Sequence, residues 1–153
     1  METALLSPPG GQTIRHASPH FAPAVRGPLA GDDAAPELDR VWPMLKAAAA
    51  LAGDTHRKRH VAERLRNGLA QLWTLPNAAC VTSIERHDTG LRDLHGWLAA
   101  GDLDGLVAIE ARLERFARAE SCDRMVIAGR KGWLRIFSGY SERAVILAKD
   151  LNR

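Results

Sequence analysis

The sequence predicts an α/β (α+β) domain on a mixed sheet, with an antiparallel meander leading into a β-α-β unit, helices on both faces and an extended arm in front. Three observations predict it. Residues 101–153 read in order as a long amphipathic helix, a short apolar strand, a basic turn and a last apolar strand. Met125-Val126-Ile127 and Ala144-Val145-Ile146-Leu147-Ala148 are unbroken apolar runs, as strands covered on both faces require, so helices must lie over this sheet. Between residues 69 and 98 three β-rich segments alternate with turn residues.

Residues 1–35 form the arm. With Pro36 counted, six of the eight prolines fall here (Pro8, Pro9, Pro19, Pro23, Pro28, Pro36), interspersed with Gly10, Gly11, Gly27 and Gly31. Each proline fixes its own φ and removes a donor, so neither a helix nor a central strand can run through the stretch. Its apolar residues, Leu5, Leu6, Ile14, Phe21, Val25 and Leu29, are too scattered for a core but suit an arm pegged along another surface. A plain disordered leader is the alternative. Residues 36–153 are expected to form a single domain.

Pro36 to Ala52 reads as a helix, with Leu38, Val41, Leu45 and Ala48 or Ala49 on one face and Gly53 as its stop. Pro43 is expected to bend it or delay its start. Thr55 to Asn67 reads as a second helix capped by Asp54 or Thr55, with Val61 and Leu65 inward and Arg57, Lys58, Arg59, Arg64 and Arg66 outward. Strands follow at residues 69–75, 79–84 and 91–98, with turns at Pro76-Asn77 and Asp88-Thr89-Gly90. The third helix starts at Asp102, a good N-cap, and carries Leu103, Leu106, Val107, Ile109, Leu113, Phe116 and Ala117 at helical spacing until Ser121-Cys122 closes it.

Composition narrows the function classes. A chain of 153 residues, 46% hydrophobic, buries one core. No apolar run approaches the length of a membrane span, and the start lacks the basic-then-apolar order of a secretory signal, so a soluble protein made in the cytoplasm is expected. Cys80 and Cys122 have no CxxC context and read as buried thiols; no metal site is expected. His16, His20, His56, His60, His87 and His95 are dispersed, and no catalytic pairing can be picked out. A net charge of +3 is not by itself a nucleic-acid signature. The basic second helix could be imagined as part of a helix-turn-helix, but the β-rich continuation Leu72-Trp73-Thr74-Leu75 speaks against it; a solvated basic face is the simpler reading.

The words Ala100-Gly101-Asp102-Leu103, Phe116-Ala117-Arg118-Ala119, Cys122-Asp123-Arg124-Met125, Gly129-Arg130-Lys131-Gly132-Trp133 and Gly139-Tyr140 resemble those of the acetyltransferase-like (GNAT-like) proteins encoded by many tailed bacteriophages and prophages. The likeness runs from about Pro36 to Leu151. It implies a meander, then a strand whose C-terminal loop cradles the pyrophosphate of acyl-coenzyme A, then the major helix, a parallel strand, a second helix and one or two last strands. The enzymes of that fold carry a basic residue or glutamine and then Gly-x-Gly or Gly-x-Ala in this loop, because bare amides at a helix N-terminus must approach phosphate closely. Here the turn is Ala99-Ala100-Gly101-Asp102-Leu103-Asp104-Gly105, with two carboxylates where phosphates would sit. Like charges in a partly desolvated cleft oppose binding by about a few kcal/mol. Many active members also place a tyrosine in the helix after the fifth strand as a general acid. That position falls on Ile136 or Phe137, and Tyr140 falls where the family has another aromatic.

The resemblance therefore implies a non-catalytic, virion-associated structural or interaction protein of a tailed phage or phage-derived particle, with no cofactor. Its arm would dock on a neck, tail or internal virion protein. Candidate interaction residues are Ile14, Phe21, Val25 and Leu29 of the arm and Arg130, Lys131 and Trp133 of the basic turn, where Gly129 and Gly132 permit a sharp bend. For Trp133 the alternative is packing, together with Trp42, Trp73 and Trp97. The competing reading is an active acetyl-CoA-dependent N-acetyltransferase with Gly101, Asp102, Leu103 and Gly105 as an atypical phosphate loop. A third is a nucleic-acid-binding accessory protein.

Overall fold

The computed structural model describes residues 23–151. Five strands form one sheet in sequence order: β1 (Arg26–Leu29), β2 (Gln71–Leu75), β3 (Ala78–Arg86), β4 (Arg92–Gly101) and β5 (Arg124–Ile127). The first four pair antiparallel, and β5 runs parallel to β4. Two helices, α1 (Ala34–Leu51) and α2 (Lys58–Arg66), connect β1 to β2, and α3 (Leu103–Ala119) crosses from β4 to β5. A 3-10 turn, Lys131–Arg135, follows β5. No helix among the described residues is long and apolar enough to cross a membrane.

The mixed sheet is covered on both faces, most fully at β2 and β3; of the two apolar runs that pointed to it, Met125-Val126-Ile127 is half-buried and residues 144–148 are exposed. Leu38, Val41, Leu45 and Ala49 of α1 and Val61 and Leu65 of α2 pack with Leu72, Val81 and Leu98 on one side. Ile109, Leu113 and Ala117 of α3 pack with Trp73, Cys80 and Leu94 on the other. Adjacent strand residues feed opposite layers, Leu72 one and Trp73 the other, which is the period-2 geometry of a central strand. Burial pushes the Cys80 thiol up to about 12, so it packs as a small apolar group. Pro43 lies inside α1, which runs on through it.

Several expectations shift. The chain expected to be arm up to residue 35 already contributes β1, and Val25 and Leu29 pack against the domain's own two clusters. Ile14 and Phe21 lie outside the described residues. Because β1 is an edge strand, Pro28 deprives no second neighbour of a donor. The second helix begins at Lys58 with Arg57 as an N-cap that makes no side-chain bond; neither Asp54 nor Thr55 caps it, and Asp54 sits at φ 56 just after α1. Leu103 and Val107 face water, so the buried stripe of α3 is narrower than its apolar positions. The last expected strand, residues 144–148, pairs with nothing among the described residues: the whole of 141–151 is exposed and without regular structure.

Candidate functional site: the turn between β4 and α3

β4 ends at Gly101 and α3 begins at Leu103, so the connection between them is the single residue Asp102. Gly101 has φ +127, and a Cβ there would run into the Asn77 carbonyl and the Ala78 backbone of the β2–β3 turn. Only glycine fits such a place. Asp102 donates its amide to that same Asn77 carbonyl at 3.0 Å. Its carboxylate, as the sequence predicts, caps α3 by accepting from the Gly105 amide at 2.7 Å. A Cβ on Gly105 would lie 2.6 Å from that of Ala78. The helix N-terminus is thus closed from two directions: the Asp102 carboxylate occupies the amide that would face a ligand, and the β2–β3 turn presses on the backbone around it.

These residues do not fit an acyl-coenzyme A pyrophosphate. A phosphate cradle needs several bare amides in a loop wide enough to wrap an anion. Here there is no loop, Gly105 is already bonded, and Asp104 adds a second negative charge in the first turn. The four residues Gly101, Asp102, Leu103 and Gly105 do come together, but as a strand-to-helix joint. A cavity of about 210 Å³ lies elsewhere, lined by Pro28, Trp73, Arg112, Arg115 and Phe116.

The position after β5 where a general acid is expected carries none. Phe137 is buried and Ile136 exposed, and neither carries an ionisable proton. Tyr140 donates its phenol to Glu110 Oε1 of α3 at 3.1 Å. Burial first, and then the Glu110 charge, push the phenol well above its ordinary value, while burial also raises Glu110. Trp133, Phe137 and Tyr140 form an edge-to-face series with centroids 6.0 and 6.2 Å apart. Trp133 is therefore half-buried packing, Arg130 is exposed, and Lys131 stands 3.5 Å from Glu142.

Cross-strand register builds polar pairs that the linear sequence hides. Glu85 and His95 lie two residues out of register on β3 and β4, and His95 Nδ1 meets Glu85 Oε1 at 2.9 Å. Asp93, buried on β4, holds Arg124 of β5 through Nε and Nη2 and His87 through Nε2 at 2.8 Å. The hydrogen-bonded Arg124 guanidinium keeps the Asp93 carboxyl below its ordinary range against the pull of burial, with His87 helping. Glu37 is the counterpart at the other end of the sheet: it accepts from Arg40 and from the Thr74 hydroxyl and pairs with Arg26 at 2.8 Å. Arg40 lowers it most, again against burial. The His56 ring, from the α1–α2 connection, meets that of Trp97 at a tilt of 51° with centroids 4.8 Å apart, and the Arg64 guanidinium lies over Trp97. The Ser83 hydroxyl and the Trp97 Nε1 are buried with no hydrogen-bond partner among the described residues.

Of the basic face of α2, Lys58 pairs with Asp39 at 2.6 Å and Arg64 lies over Trp97. The element that follows α2 is strand β2 and not the second amphipathic helix that the helix-turn-helix reading placed after it. Among the described residues no group of three or more His, Cys, Asp or Glu could hold a metal ion.

No protein-family model matches the sequence, and no curated protein matches it. Solved structures do. An acetyltransferase from Trypanosoma brucei aligns with a TM-score of 0.58 at 12% identity, over 76% of this chain and 94% of that one. A ribosomal-protein-alanine N-acetyltransferase from Brucella melitensis biovar Abortus gives 0.52 at 12% identity, over 85% and 96%. A Bacillus halodurans protein gives 0.52 at 12%, over 80% and 99%. At such identities the likeness speaks for the architecture, which is that of the GNAT-type acetyltransferases.

Proposed function

We propose that this chain is a non-catalytic interaction protein on a GNAT-like fold, acting as a structural component of a tailed-phage particle. The observation that carries the first half is the one-residue joint between β4 and α3, closed by its own aspartate and by Asn77 and Ala78. The committed Tyr140 phenol supports it too. The phage setting draws its support from the sequence resemblance alone. Loss of the donor site leaves a rigid three-layer body with edges and a tail to bind through, which is what a virion component needs.

Titration with acetyl-coenzyme A while following thermal unfolding tests the first half. A ligand bound only to the folded state at a hundred times its Kd stabilises by about 2.7 kcal/mol, so a bound donor raises Tm by several degrees. We expect no shift at millimolar ligand, and a clear shift overturns the reading. Mass spectrometry of purified particles, induced from the cell that encodes the chain, tests the second half: the protein is expected at fixed stoichiometry with the particle.

One observation favours a second reading, an active N-acetyltransferase. His95 on β4, held by Glu85, has the arrangement of a general base steadied by a carboxylate. That reading predicts thiol release from acetyl-coenzyme A in the presence of an amine, lost on His95→Ala.

A further inference from the structure

The cavity away from the β4–α3 joint shares no residue with it. It holds about 210 Å³, is half-open to water, and is lined by Pro28 of β1, Trp73 of β2 and Arg112, Arg115 and Phe116 of α3. Its charge is all of one sign. Arg112 and Arg115 stand one turn apart on the helix, where like charges repel, and no acid lines the cavity. The carboxylates nearest to them along α3 are turned to other partners, Glu110 to the Tyr140 phenol and Glu114 to Arg118 at 2.7 Å. Arg112 Nη2 donates to the Gly27 carbonyl at 3.2 Å, while its Nε is buried with no hydrogen-bond partner among the described residues. A buried donor left unpaired costs free energy, so the fold holds in place a cation that it does not itself satisfy.

The apolar walls are fixed as firmly. The Trp73 indole is 1% exposed, donates to Thr82 Oγ1 at 2.9 Å, and meets Phe116 edge-to-face with centroids 5.2 Å apart. The β1 backbone lies so close over this indole that a Cβ on Gly27 would come within 2.8 Å of it. Such walls are formed before any ligand arrives, as those of small-molecule sites generally are.

We propose that this cavity binds a small aromatic carboxylate, its ring against Phe116, Pro28 and the edge of Trp73 and its carboxylate between the guanidinium groups of Arg112 and Arg115. A cavity of about 150 Å³ takes a benzene ring, so this one takes a single ring with its carboxylate. The planar anion suits the donor forks of two arginines, and the ring extends the existing edge-to-face pair. Arg112 lies about three turns of α3 beyond Asp102, so this binding neither needs nor excludes an acyl donor at the joint.

Titration of the isotope-labelled full chain with benzoate, followed by two-dimensional amide NMR, tests this. The expected result is a saturable shift of the Trp73 indole N–H and of the Arg112, Arg115 and Phe116 amides, with a Kd of about a millimolar or below, while the Asp102 and Gly105 amides stay still. Benzamide, which keeps the ring, and acetate, which keeps the carboxylate, should each bind at least about tenfold more weakly. Arg115 is exposed, so Arg115→Gln leaves the fold intact and should weaken benzoate about tenfold with the urea midpoint unchanged. Absence of a saturable shift up to about 10 mM benzoate overturns the proposal. So does equal binding of benzamide or of acetate, a shift confined to Asp102 and Gly105, or an Arg115→Gln variant that binds benzoate as the parent does.

Discussion

Asp102 carries two effects on one carboxylate, and they can be separated by substitution. As an acceptor it satisfies the Gly105 amide and complements the helix dipole; as an anion it repels phosphate. Asp102→Ala removes both and should cost about 1 kcal/mol of stability, read from denaturant midpoints. Asp102→Asn keeps the cap and removes the charge, so its loss should be no more than a few tenths of a kcal/mol. Neither variant should gain an acetyl-coenzyme A shift in Tm, because Asn77 and Ala78 still press on Gly101 and Gly105. A shift in the asparagine variant alone would mean that charge and not closure excludes the ligand. The sequence exposes the two aspartates, but the closure depends on a residue 24 positions upstream of Gly101, the Asn77 carbonyl, and only the folded hairpin brings it there.

Elements show a similar division between local and distant causes. Pro43 sits on the exposed side of α1, well inside its range of Ala34–Leu51, where it removes one helical hydrogen bond. Pro43→Ala should therefore raise stability by about 1–3 kcal/mol, seen as a higher Tm with slightly more helical signal. The two long helices, the meander and β5 were legible because each is fixed by its own periodicity or turn residues: Leu38, Val41 and Leu45 for α1, Pro76-Asn77 for the hairpin, Asp102 for the start of α3. Two elements were not. β1 hides in a proline-rich stretch because an edge strand pairs on one side only and needs few strand formers. Residues 144–148 look like a strand because their composition demands cover, but composition cannot say which chain supplies it. The polar pairs of the sheet, Glu85 with His95 and Asp93 with Arg124 and His87, were invisible for want of register; the cue available was an unusual density of acids and bases on consecutive strands, residues 85–95.

Across the whole molecule, a buried carboxylate anchors each end of the sheet. Glu37 ties α1 to β1 through Arg26 and to β2 through Thr74, and its partner Arg40 reaches the Leu75 carbonyl as well. Asp93 ties β4 to β5 through Arg124 and to the β3–β4 turn through His87. Both carboxyls are held below their ordinary values of 4.5 and 3.8, so as pH falls the unfolded chain takes up protons before the folded one does. Their stabilisation is complete above the ordinary carboxylate range and is lost as pH drops through the lower, folded values. Glu110 has the opposite sign: burial raises it, so its contribution is a cost that appears as pH rises past its ordinary value. Glu37 and Asp93 each make acid destabilising at their own site, and Glu110 acts the other way. Glu37→Gln and Asp93→Asn should each cost about 1–2 kcal/mol at neutral pH, because each removes charge-assisted hydrogen bonds from a buried carboxylate while the partner arginines, 42–60% exposed, are rehydrated. Each should also flatten the fall in urea midpoint between about pH 5 and pH 2, since the neutral amide has no proton to take up. The pair should add almost independently, the two sites lying at opposite edges of the sheet with no shared partner. A double variant whose stability still falls as steeply with acid as the parent would place the pH sensitivity in other carboxylates and leave these two as packing alone.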